Sequence, residues 1–453
     1  MFFRKKPKQN TTINTEKITN YTHFLEIPLK IVGCWDWYPE PRSEYQIILN
    51  NVYICMVLFV LTNIPMTLFV NLYIEWAGMM DSLDELADCM PSLVSIAIVC
   101  YFVVNRKKMY DLIGFMNNNF EYYSANGLTN MTMLRCYKTA KNFAYFYTAC
   151  TMFSVTLYVI PEIVNLWKKL PLQNRIYADV TRSPFLEFAF IRQCLGQAFI
   201  GLAMGQLGVF FASNAILLCG QLDLLCCSVR NARFSALLQG GTLHTAIAKS
   251  HADILDDELH HYIYNTAEMT PSENHYGRKM QSHFVDKMSN FDIYSNKYDK
   301  ATVDALRDCA RVCQIINVYK DKFEQFVSPL LALRVIQVTL YLCTLLYAAT
   351  LQFDMVTVEY LAAVALDIFV YCYYGNQIIL QADRVSTAAY QGMWHTMGVR
   401  PRRMLLNILL ANRRQTIVRA GRFLPMDLHT FVVIIKTSFS YYTLLVNVNE
   451  NHD

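Results

Sequence analysis

Long apolar runs alternate with polar, charged segments along the whole chain. Seven runs have about 19 residues or more, enough for a helix that rises about 1.5 Å per residue to cross a hydrocarbon core. The pattern predicts seven transmembrane helices, near Ile47–Leu72, Leu86–Val104, Asn142–Val164, Phe188–Leu218, Pro329–Phe353, Val356–Leu380 and Phe423–Val448. The fourth run is longer than a bilayer requires, so its helix is expected to project beyond the membrane.

The soluble connections also show helical periodicity. Apolar residues recur at helical spacing in Ala246–Ile263 and in Val303–Phe326. The second segment reaches Pro329 without a break signal, which predicts one continuous helix that enters the fifth span from the soluble side. Residues 270–300 are polar and contain a proline and a glycine, so they are expected to form a mobile connection.

A basic amphipathic helix is predicted after the sixth span, beginning at Pro401. Its apolar positions are Met404, Leu405, Ile408 and Leu409. Such a helix packs under the membrane and turns its arginines toward lipid headgroups or water.

The basic residues identify the predicted cytosolic side. Alternate soluble segments carry many Lys and Arg residues: seven in residues 1–46, six in 105–141, twelve in 219–328 and eight in 381–422. The segments between them carry none, four and none. Because cytosolic loops are enriched in Lys and Arg, the N-terminus is predicted to be cytosolic and, after seven spans, the C-terminus extracellular.

The predicted fold is therefore an all-α membrane protein with inverted topology. Its segments are a cytosolic N-terminal segment (1–46), transmembrane helices 1–4 (47–218), a cytosolic loop with a helical extension (219–328), transmembrane helices 5 and 6 (329–380), further cytosolic helices (381–422), and helix 7 with a short extracellular tail (423–453).

Composition agrees with a membrane protein. Of 453 residues, 54% are hydrophobic and 17% are charged, whereas about 25% are charged in typical soluble domains. The net charge of +4 is too small to indicate nucleic-acid binding. No apolar run precedes residue 47, so no signal peptide is expected. Three N-glycosylation sequons, at Asn10, Asn20 and Asn130, fall on the predicted cytosolic side.

Cysteine and histidine residues give no sign of a framework or a metal site. The 14 cysteines are expected to act as small hydrophobes, with a disulfide between Cys89 and Cys194 as the alternative. A histidine group near several acidic residues comprises His251, His260 and His261. Adjacent histidines face different ways on a helix, so a solvated helix face is favoured over a metal site. No cofactor is expected.

The last predicted span carries a polar stripe on an otherwise apolar helix. At about 100° per residue, five polar side chains fall within about 40° of His429. They are His429, Lys436, Ser440, Thr443 and Asn447. Such a stripe must face protein or water. Two interpretations stay open: it bonds to a neighbouring helix, with Lys436 pairing with Asp367 or Glu359, or it borders a wetted pathway.

Several motifs cluster between residues 365 and 448. The sixth span contains Tyr371-Cys372-Tyr373-Tyr374-Gly375-Asn376, followed by Ala388-Ala389-Tyr390 and Trp394. The approach to the last span contains Leu405, Arg413, Gln415, Ala420-Gly421, Phe423 and Pro425, and the span itself contains Phe431, Lys436-Thr437-Ser438, Ser440-Tyr441 and Thr443-Leu444-Leu445. Together they resemble the C-terminal signature of the insect odorant receptors, which are odorant-gated cation channels. In one departure, Cys313-Gln314 stands where that family usually has His-Gln.

The resemblance implies a tetramer around one central pore. The cytosolic extensions of the fourth to seventh helices would form an anchor domain between subunits, and the last helix of each subunit would line the pore. The gate constriction is carried over to Leu444, Asn447 and Val448. The implied partners are an olfactory co-receptor subunit, a small volatile odorant and membrane lipid. The implied location is the plasma membrane of an olfactory neuron dendrite, and no enzymatic activity is expected.

The resemblance also places a ligand site in the outward half of the bundle, among the second to fifth helices. An apolar lining with few hydrogen-bonding groups suits a small volatile ligand. The candidate residues are Leu93 and Ile96 on the second span; Thr151, Ser154 and Tyr158 on the third; Phe199, Ala203 and Gln206 on the fourth; and Tyr341, Thr344 and Tyr347 on the fifth.

Three other classes of membrane protein are weighed against this interpretation. A G-protein-coupled receptor requires an extracellular N-terminus and D-R-Y and N-P-x-x-Y elements, which the sequence lacks. A transporter is expected to show internal repeats. A gustatory-receptor-like ligand-gated channel is the alternative, although the terminal Gln-Phe of that family is replaced by Asn447-Val448.

Overall fold

The structure is a computed structural model that describes residues 20–74, 83–122, 132–167, 185–242, 291–351, 355–413 and 416–450. The helices are α1 (His23–Val32), α2 (Glu44–Ile74), α3 (Leu83–Val104), α4 (Arg106–Asn119), α5 (Leu134–Trp167), α6 (Phe185–Arg230), α7 (Ala232–Gln239), α8 (Asp299–Leu351), α9 (Met355–Gln391), α10 (Val399–Asn412) and α11 (Leu428–Glu450). Short 3-10 turns cover Asn296–Tyr298 and Trp394–Thr396, and β1 (Arg419–Ala420) pairs antiparallel with β2 (Leu424–Pro425).

Seven of these helices overlap the seven predicted spans: α2, α3, α5, α6, α8, α9 and α11. Within the described residues, four segments are long and apolar enough to cross a membrane by length and composition alone: Glu44–Val70, Phe190–Arg230, Asn296–Leu346 and Leu361–Gln391. A further candidate is Cys89–Val104, which continues into α4 after a bend of 68°. The 46 residues of α6 and the 53 of α8 extend beyond the thickness of a bilayer, as predicted for the fourth and fifth spans.

The last helix begins later than the apolar pattern predicts. It starts at Leu428 rather than Phe423, because the β1–β2 hairpin occupies the preceding residues. Gly421 (φ 59°) and Arg422 (φ 68°) adopt the left-handed conformation at its turn, which a count of apolar residues cannot register. The hairpin docks on α8, where these two amides donate to the carbonyl and hydroxyl of Ser328 at 3.0 and 2.9 Å.

Helix α6 lies at the centre of the bundle. It packs along α5 and α9 and also contacts α2, α3 and α8, and every residue from 205 to 218 is buried. Phe102 of α3, Phe210 of α6 and Phe326 of α8 have ring centroids 5.3 to 5.7 Å apart. These tilted and edge-to-face contacts hold α3 and α8 against the central helix.

Residues 291–300 are fixed against α7, so the prediction of a mobile connection is wrong for this segment. Ile293 and Tyr298 pack with apolar residues of α7, and the fully buried Arg233 donates to the carbonyl of Ile293. The segment is polar overall, so its composition does not indicate that Ile293 and Tyr298 are buried.

The predicted helix Ala246–Ile263 and the group His251, His260 and His261 lie outside the described residues. Within the described ranges, no cluster of three His, Cys, Asp or Glu side chains is placed to hold a metal ion. The fourteen cysteines all lie in the described ranges and none is in a disulfide, so the alternative disulfide between Cys89 and Cys194 is not formed. Both residues lie inside helices, α3 and α6, rather than at their ends.

The N-terminal segment packs at the same end of the bundle as α4. The carboxylate of Asp36 accepts hydrogen bonds from Arg106 Nη1 at 2.8 Å and from the Tyr110 hydroxyl at 3.1 Å. Leu25 and Leu29 of α1 are fully buried, and α1 lies against α6. The two segments that the charge pattern assigned to one side of a membrane are therefore neighbours.

Candidate functional site

A cavity of about 490 Å³ lies between α2, α3, α5, α6, α8 and α9. This volume falls in the range of small-molecule sites, about 300 to 1,000 Å³. The wall is mostly apolar, with Ile64, Leu68, Ile200 and Val364 among its residues. A few polar side chains interrupt it, so the cavity suits a small and largely apolar ligand.

Three predicted ligand residues line this cavity: Thr151, Ser154 and Tyr341. Thr151 and Ser154 stand one turn apart on α5, as the helical spacing indicated. The side chains of Tyr158 and Tyr347 lie outside the described part of the chain. Thr344 is not in the wall; its hydroxyl donates to the carbonyl of Tyr341 at 2.9 Å.

The predicted ligand residues on α3 and α6 lie away from the cavity. Leu93 is 39% exposed, and Ile96 and Phe199 pack against the core. Ala203 and Gln206 are buried. The side of α6 that lines the cavity carries Gln197, Ile200, Gly201, Met204 and Gly205 instead. This side is nearly opposite to the predicted one, because α6 is apolar around most of its circumference and periodicity gives no orientation.

Two glycines bring α6 close to α5 beside the cavity. A Cβ atom at Gly201 would lie 2.5 Å from Cγ2 of Val155, and one at Gly205 would lie 2.7 Å from Oγ1 of Thr151. The pair has the small-xxx-small spacing that permits close helix packing in membranes. The two glycines therefore help to set the width of the cavity.

The charged part of the wall is a buried ion pair that the sequence did not reveal. Arg334 of α8 and Asp367 of α9 both line the cavity and are 3% and 7% exposed. One guanidinium nitrogen donates to Asp367 Oδ2 and another to Gln337. The Tyr147 hydroxyl donates to Asp367 Oδ1 at 3.0 Å. The sequence does carry a signal for this site. Asp367 is an ionisable residue within a predicted span, and such a residue usually marks a functional site.

This ion pair excludes Asp367, one of the two partners that the sequence left open for Lys436. The carboxylate is already bonded to Arg334 and Tyr147, whereas Lys436 is exposed on the surface of the subunit. The other candidate partner, Glu359, has its side chain outside the described residues.

Helix α11 contacts its own subunit mainly through one face. Thr430, Ile434 and Ser438 are 1 to 5% exposed, and α11 packs on α8 and α9. The stripe residues His429, Lys436, Ser440 and Thr443 are all exposed. On an ideal helix the centre of the stripe lies about 150° from the packed face. The stripe therefore does not bond to a neighbouring helix of the same subunit, at least at the four positions with described side chains.

The predicted gate residues lie in the last turns of α11. The backbone of Leu444, Asn447 and Val448 continues the helix, and their side chains lie outside the described part. Helical spacing places Asn447 in line with the exposed stripe and Val448 in line with Thr430 on the packed face.

The sequence profile of the 7tm odorant receptor family matches residues 78–439. The chain belongs to the odorant receptor family. Odorant receptor 83a of Drosophila melanogaster is 24% identical over 403 residues, 85% of each chain. Odorant receptor Or2 of Anopheles gambiae is 24% identical over 147 residues, 32% of this chain and 39% of that one. The solved structure of the insect olfactory receptor OR5 from Machilis hrabei in complex with eugenol has the same fold, with a TM-score of 0.65 at 15% identity, over 94% of this chain and 99% of that chain.

Family membership confirms that this odorant receptor is a multi-pass membrane protein of seven-helix fold and not an enzyme. The structure also explains the motif Tyr371–Asn376 in the sixth span. Gly375 lies against the chain that enters α11: a Cβ atom there would be 2.1 Å from the carbonyl oxygen of Met426. Tyr371 and Cys372 of the same motif are fully buried. The motif is thus a docking site for the start of the last helix.

The second motif forms a surface rather than a core. Ala388 and Ala389 are buried, whereas Tyr390 is 75% exposed and Trp394 is 39% exposed. The indole Nε1 donates to the carbonyl of Tyr390 at 3.1 Å, which holds the two rings together at the end of α9. Exposed aromatic pairs of this kind are typical of protein interfaces.

Proposed function

We propose that this receptor is a ligand-binding, pore-lining subunit of an odorant-gated, non-selective cation channel. A small volatile molecule occupies the cavity between α2, α3, α5, α6, α8 and α9. The observation that carries the proposal is the exposed stripe on α11, opposite the packed face, because polar side chains in a membrane require water or a protein partner. Four last helices around an axis would supply both.

The same proposal assigns the partners and the location. The assembly is a tetramer that includes an olfactory co-receptor subunit, in the plasma membrane of an olfactory neuron dendrite, with the N-terminus in the cytosol. The cytosolic ends of α6, α8, α9 and α10 form its anchor domain. The exposed Tyr390–Trp394 pair lies in this region and supports a subunit interface there.

The direct test is electrophysiology of cells that lack endogenous odorant receptors. We expect volatile-evoked cation currents when this chain is expressed with the co-receptor, and none from either the chain alone or the co-receptor alone with the same volatile. Robust currents from this chain alone would refute the obligate heteromer. Evoked currents that require a G protein would overturn the channel proposal.

Orientation gives a second prediction. With a cytosolic N-terminus, Asn10 and Asn20 remain unmodified, because N-glycosylation occurs on the lumenal side. Asn20 is also engaged in the fold, since its Oδ1 accepts from the amide of Thr22 at 3.0 Å. A sequon appended after Asp453 should be glycosylated and serves as the positive control. A glycosidase-sensitive mass shift that disappears in the Asn10→Gln, Asn20→Gln variant would contradict the orientation.

The stripe gives a third prediction, for which α11 offers a matched pair. Ser440 is exposed on the stripe, and Ser438 is 1% exposed on the packed face. A charged, membrane-impermeant thiol reagent should change the current through open Ser440→Cys and Asn447→Cys channels and leave Ser438→Cys channels unchanged. Modification of Ser438→Cys alone would show that the opposite face lines the pathway.

The native cysteines permit this measurement. Cys55 and Cys150 are the two exposed thiols and are replaced by serine in the background. In the cytosolic part of α8, burial raises the pKa of the Cys309 thiol to about 12, which keeps it protonated and unreactive.

A further inference from the structure

The ion pair at the cavity wall has a donor that the protein does not use. A guanidinium carries five N–H groups. In Arg334 they supply the bonds to Asp367 and Gln337. Within the described part of the chain, its Nε–H has no hydrogen-bond partner, and each terminal nitrogen makes one bond although it carries two N–H groups. Unused donors on a buried cation are unfavourable. Because Arg334 lines the cavity, an acceptor that enters it can bond to the N–H groups of the terminal nitrogens that the ion pair leaves unused.

The other polar groups near Arg334 are already committed. The Tyr147 hydroxyl donates to Asp367 at 3.0 Å, and the Thr151 hydroxyl donates to the carbonyl of Tyr147 at 2.9 Å. Arg334 is therefore the member of this group with hydrogen-bonding capacity left for a guest.

The position of Arg334 suits the polar head of an elongated ligand. Tyr341, which also lines the cavity, lies seven residues further along α8, or about 10 Å along the helix axis. The wall between them is supplied largely by apolar residues and glycines of α5, α6 and α9. A ligand with one polar end and an apolar chain matches this distribution.

Charge balance narrows the class of head group. The positive guanidinium is compensated by the carboxylate of Asp367, so the site is polar without net charge. A carboxylate or ammonium ligand would introduce an uncompensated buried charge, which is costly. A hydrocarbon would leave the donor unpaired. A carbonyl oxygen accepts a hydrogen bond and brings neither a charge nor a donor of its own.

We propose that Arg334, held by Asp367 and Gln337, forms a hydrogen-bonding subsite that selects neutral carbonyl compounds, such as aldehydes and ketones, over hydrocarbons and over charged analogues of the same chain length. This rests on the proposed function in that it takes the cavity as the odorant site. It adds the chemical class of the ligand and the residue that recognises it.

The test compares octanal, n-octane, octanoate and octylammonium on the full-length chain in lipid nanodiscs. The rise in thermal unfolding midpoint with ligand concentration gives the relative affinities, and empty nanodiscs correct for uptake by lipid. A hydrogen bond to a charged donor predicts octanal binding about 10- to 100-fold tighter than n-octane. Equal affinities for octanal and n-octane, tighter binding of either charged probe, or no binding by any probe would each overturn the proposal.

Two variants then test whether Arg334 causes the preference for octanal over n-octane. The double substitution Arg334→Gln, Asp367→Asn removes the guanidinium without leaving an unpaired charge, and should reduce octanal binding to the level of n-octane. Tyr147→Phe removes one bond to Asp367 and leaves the guanidinium, so the preference should persist. A preference that survives the double substitution overturns the role of Arg334. If the double variant does not fold, the comparison of probes on the unaltered chain still decides the proposal.

Measuring ligand binding and evoked current separately distinguishes a failure of the Arg334 subsite from a failure of the channel proposal. Octanal-selective binding without any evoked current alongside the co-receptor would sustain the subsite and refute the channel. Evoked currents that are equal for octanal and n-octane would refute the subsite and sustain the channel.

Discussion

Gly375→Ala is expected to undock the last helix and abolish odorant-evoked current. The added Cβ would lie 2.1 Å from the carbonyl oxygen and 3.0 Å from Cβ of Met426. Because the nearest obstacle is backbone rather than a flexible side chain, relief requires α9 and the start of α11 to separate. Overpacking of a core costs about 1 to 3 kcal/mol even where side chains can adjust, and we expect at least the upper end of this range here.

The measurement is the thermal unfolding midpoint of the purified receptor, together with current density. Gly114→Ala is the matched control, since no atom lies within 4 Å of a Cβ built at that helical glycine. Alanine in a helix interior with open space around its Cβ should be neutral or stabilise by up to about 1 kcal/mol. A Gly375→Ala receptor with unchanged midpoint and current would show that the contact with Met426 does not hold α11.

Hydropathy predicted the helices because burial in lipid acts on long stretches of chain. A long apolar run indicates burial in lipid whatever the helix packs against. Each predicted span therefore corresponds to a helix of the described structure. The ends were less predictable. The β1–β2 hairpin before α11 depends on two left-handed residues, Gly421 and Arg422, and on hydrogen bonds to Ser328. Such contacts between distant segments leave no periodic signal.

The candidate site was predictable only where a helix has one distinctive face. On α5, Thr151 and Ser154 are small polar residues one turn apart, and both line the cavity. On α6, Ala203 and Gln206 were predicted, but this helix is buried on most sides and the cavity lies along another face. Asp367 stood out as a charge within a span, yet its partner Arg334 is on a different helix, and pairing across helices requires the three-dimensional packing.

The stripe on α11 shows how the structure narrows the interpretations that the sequence left open. The spacing of His429, Lys436, Ser440 and Thr443 predicted one polar face, compatible with either a helix contact or a wetted path. The packed face of α11 turned out to be a different one, formed by Thr430, Ile434 and Ser438. The polar face is left for water or another subunit.

Arg233 should be as sensitive to substitution as Gly375, for the opposite reason. Its side chain is fully buried and joins four segments of the chain. It donates to the carbonyls of Ile293, Ser295 and Thr396, to Asp299 Oδ1 and to Thr302 Oγ1, at 2.6 to 3.2 Å. We expect Arg233→Ala to leave these acceptors unpaired and to cost about 3 to 5 kcal/mol, the usual effect of breaking a buried ion pair.

Arg233→Lys should restore little of this loss. The planar guanidinium reaches several acceptors in fixed directions, whereas an ammonium group is a single point with three donors. Hydrogen exchange of the amides in residues 291–298 and 394–398 is the specific readout, because these segments depend on Arg233 for their attachment to α7. In both variants their exchange should rise to that of open loops.

Arg307→Ala is the matched control. Arg307 pairs with Asp304 at 2.7 Å, but the two side chains are 67% and 49% exposed, and exposed pairs contribute at most about 1 kcal/mol. Its loss should leave exchange in both segments unchanged. The start of α8 and the turn before α10 belong to the proposed anchor domain, and Arg233 joins both to α7. Arg233 variants should therefore also fail to assemble with the co-receptor. Normal assembly of Arg233→Ala, with slow exchange in both segments, would mean that the surrounding apolar contacts suffice without the guanidinium.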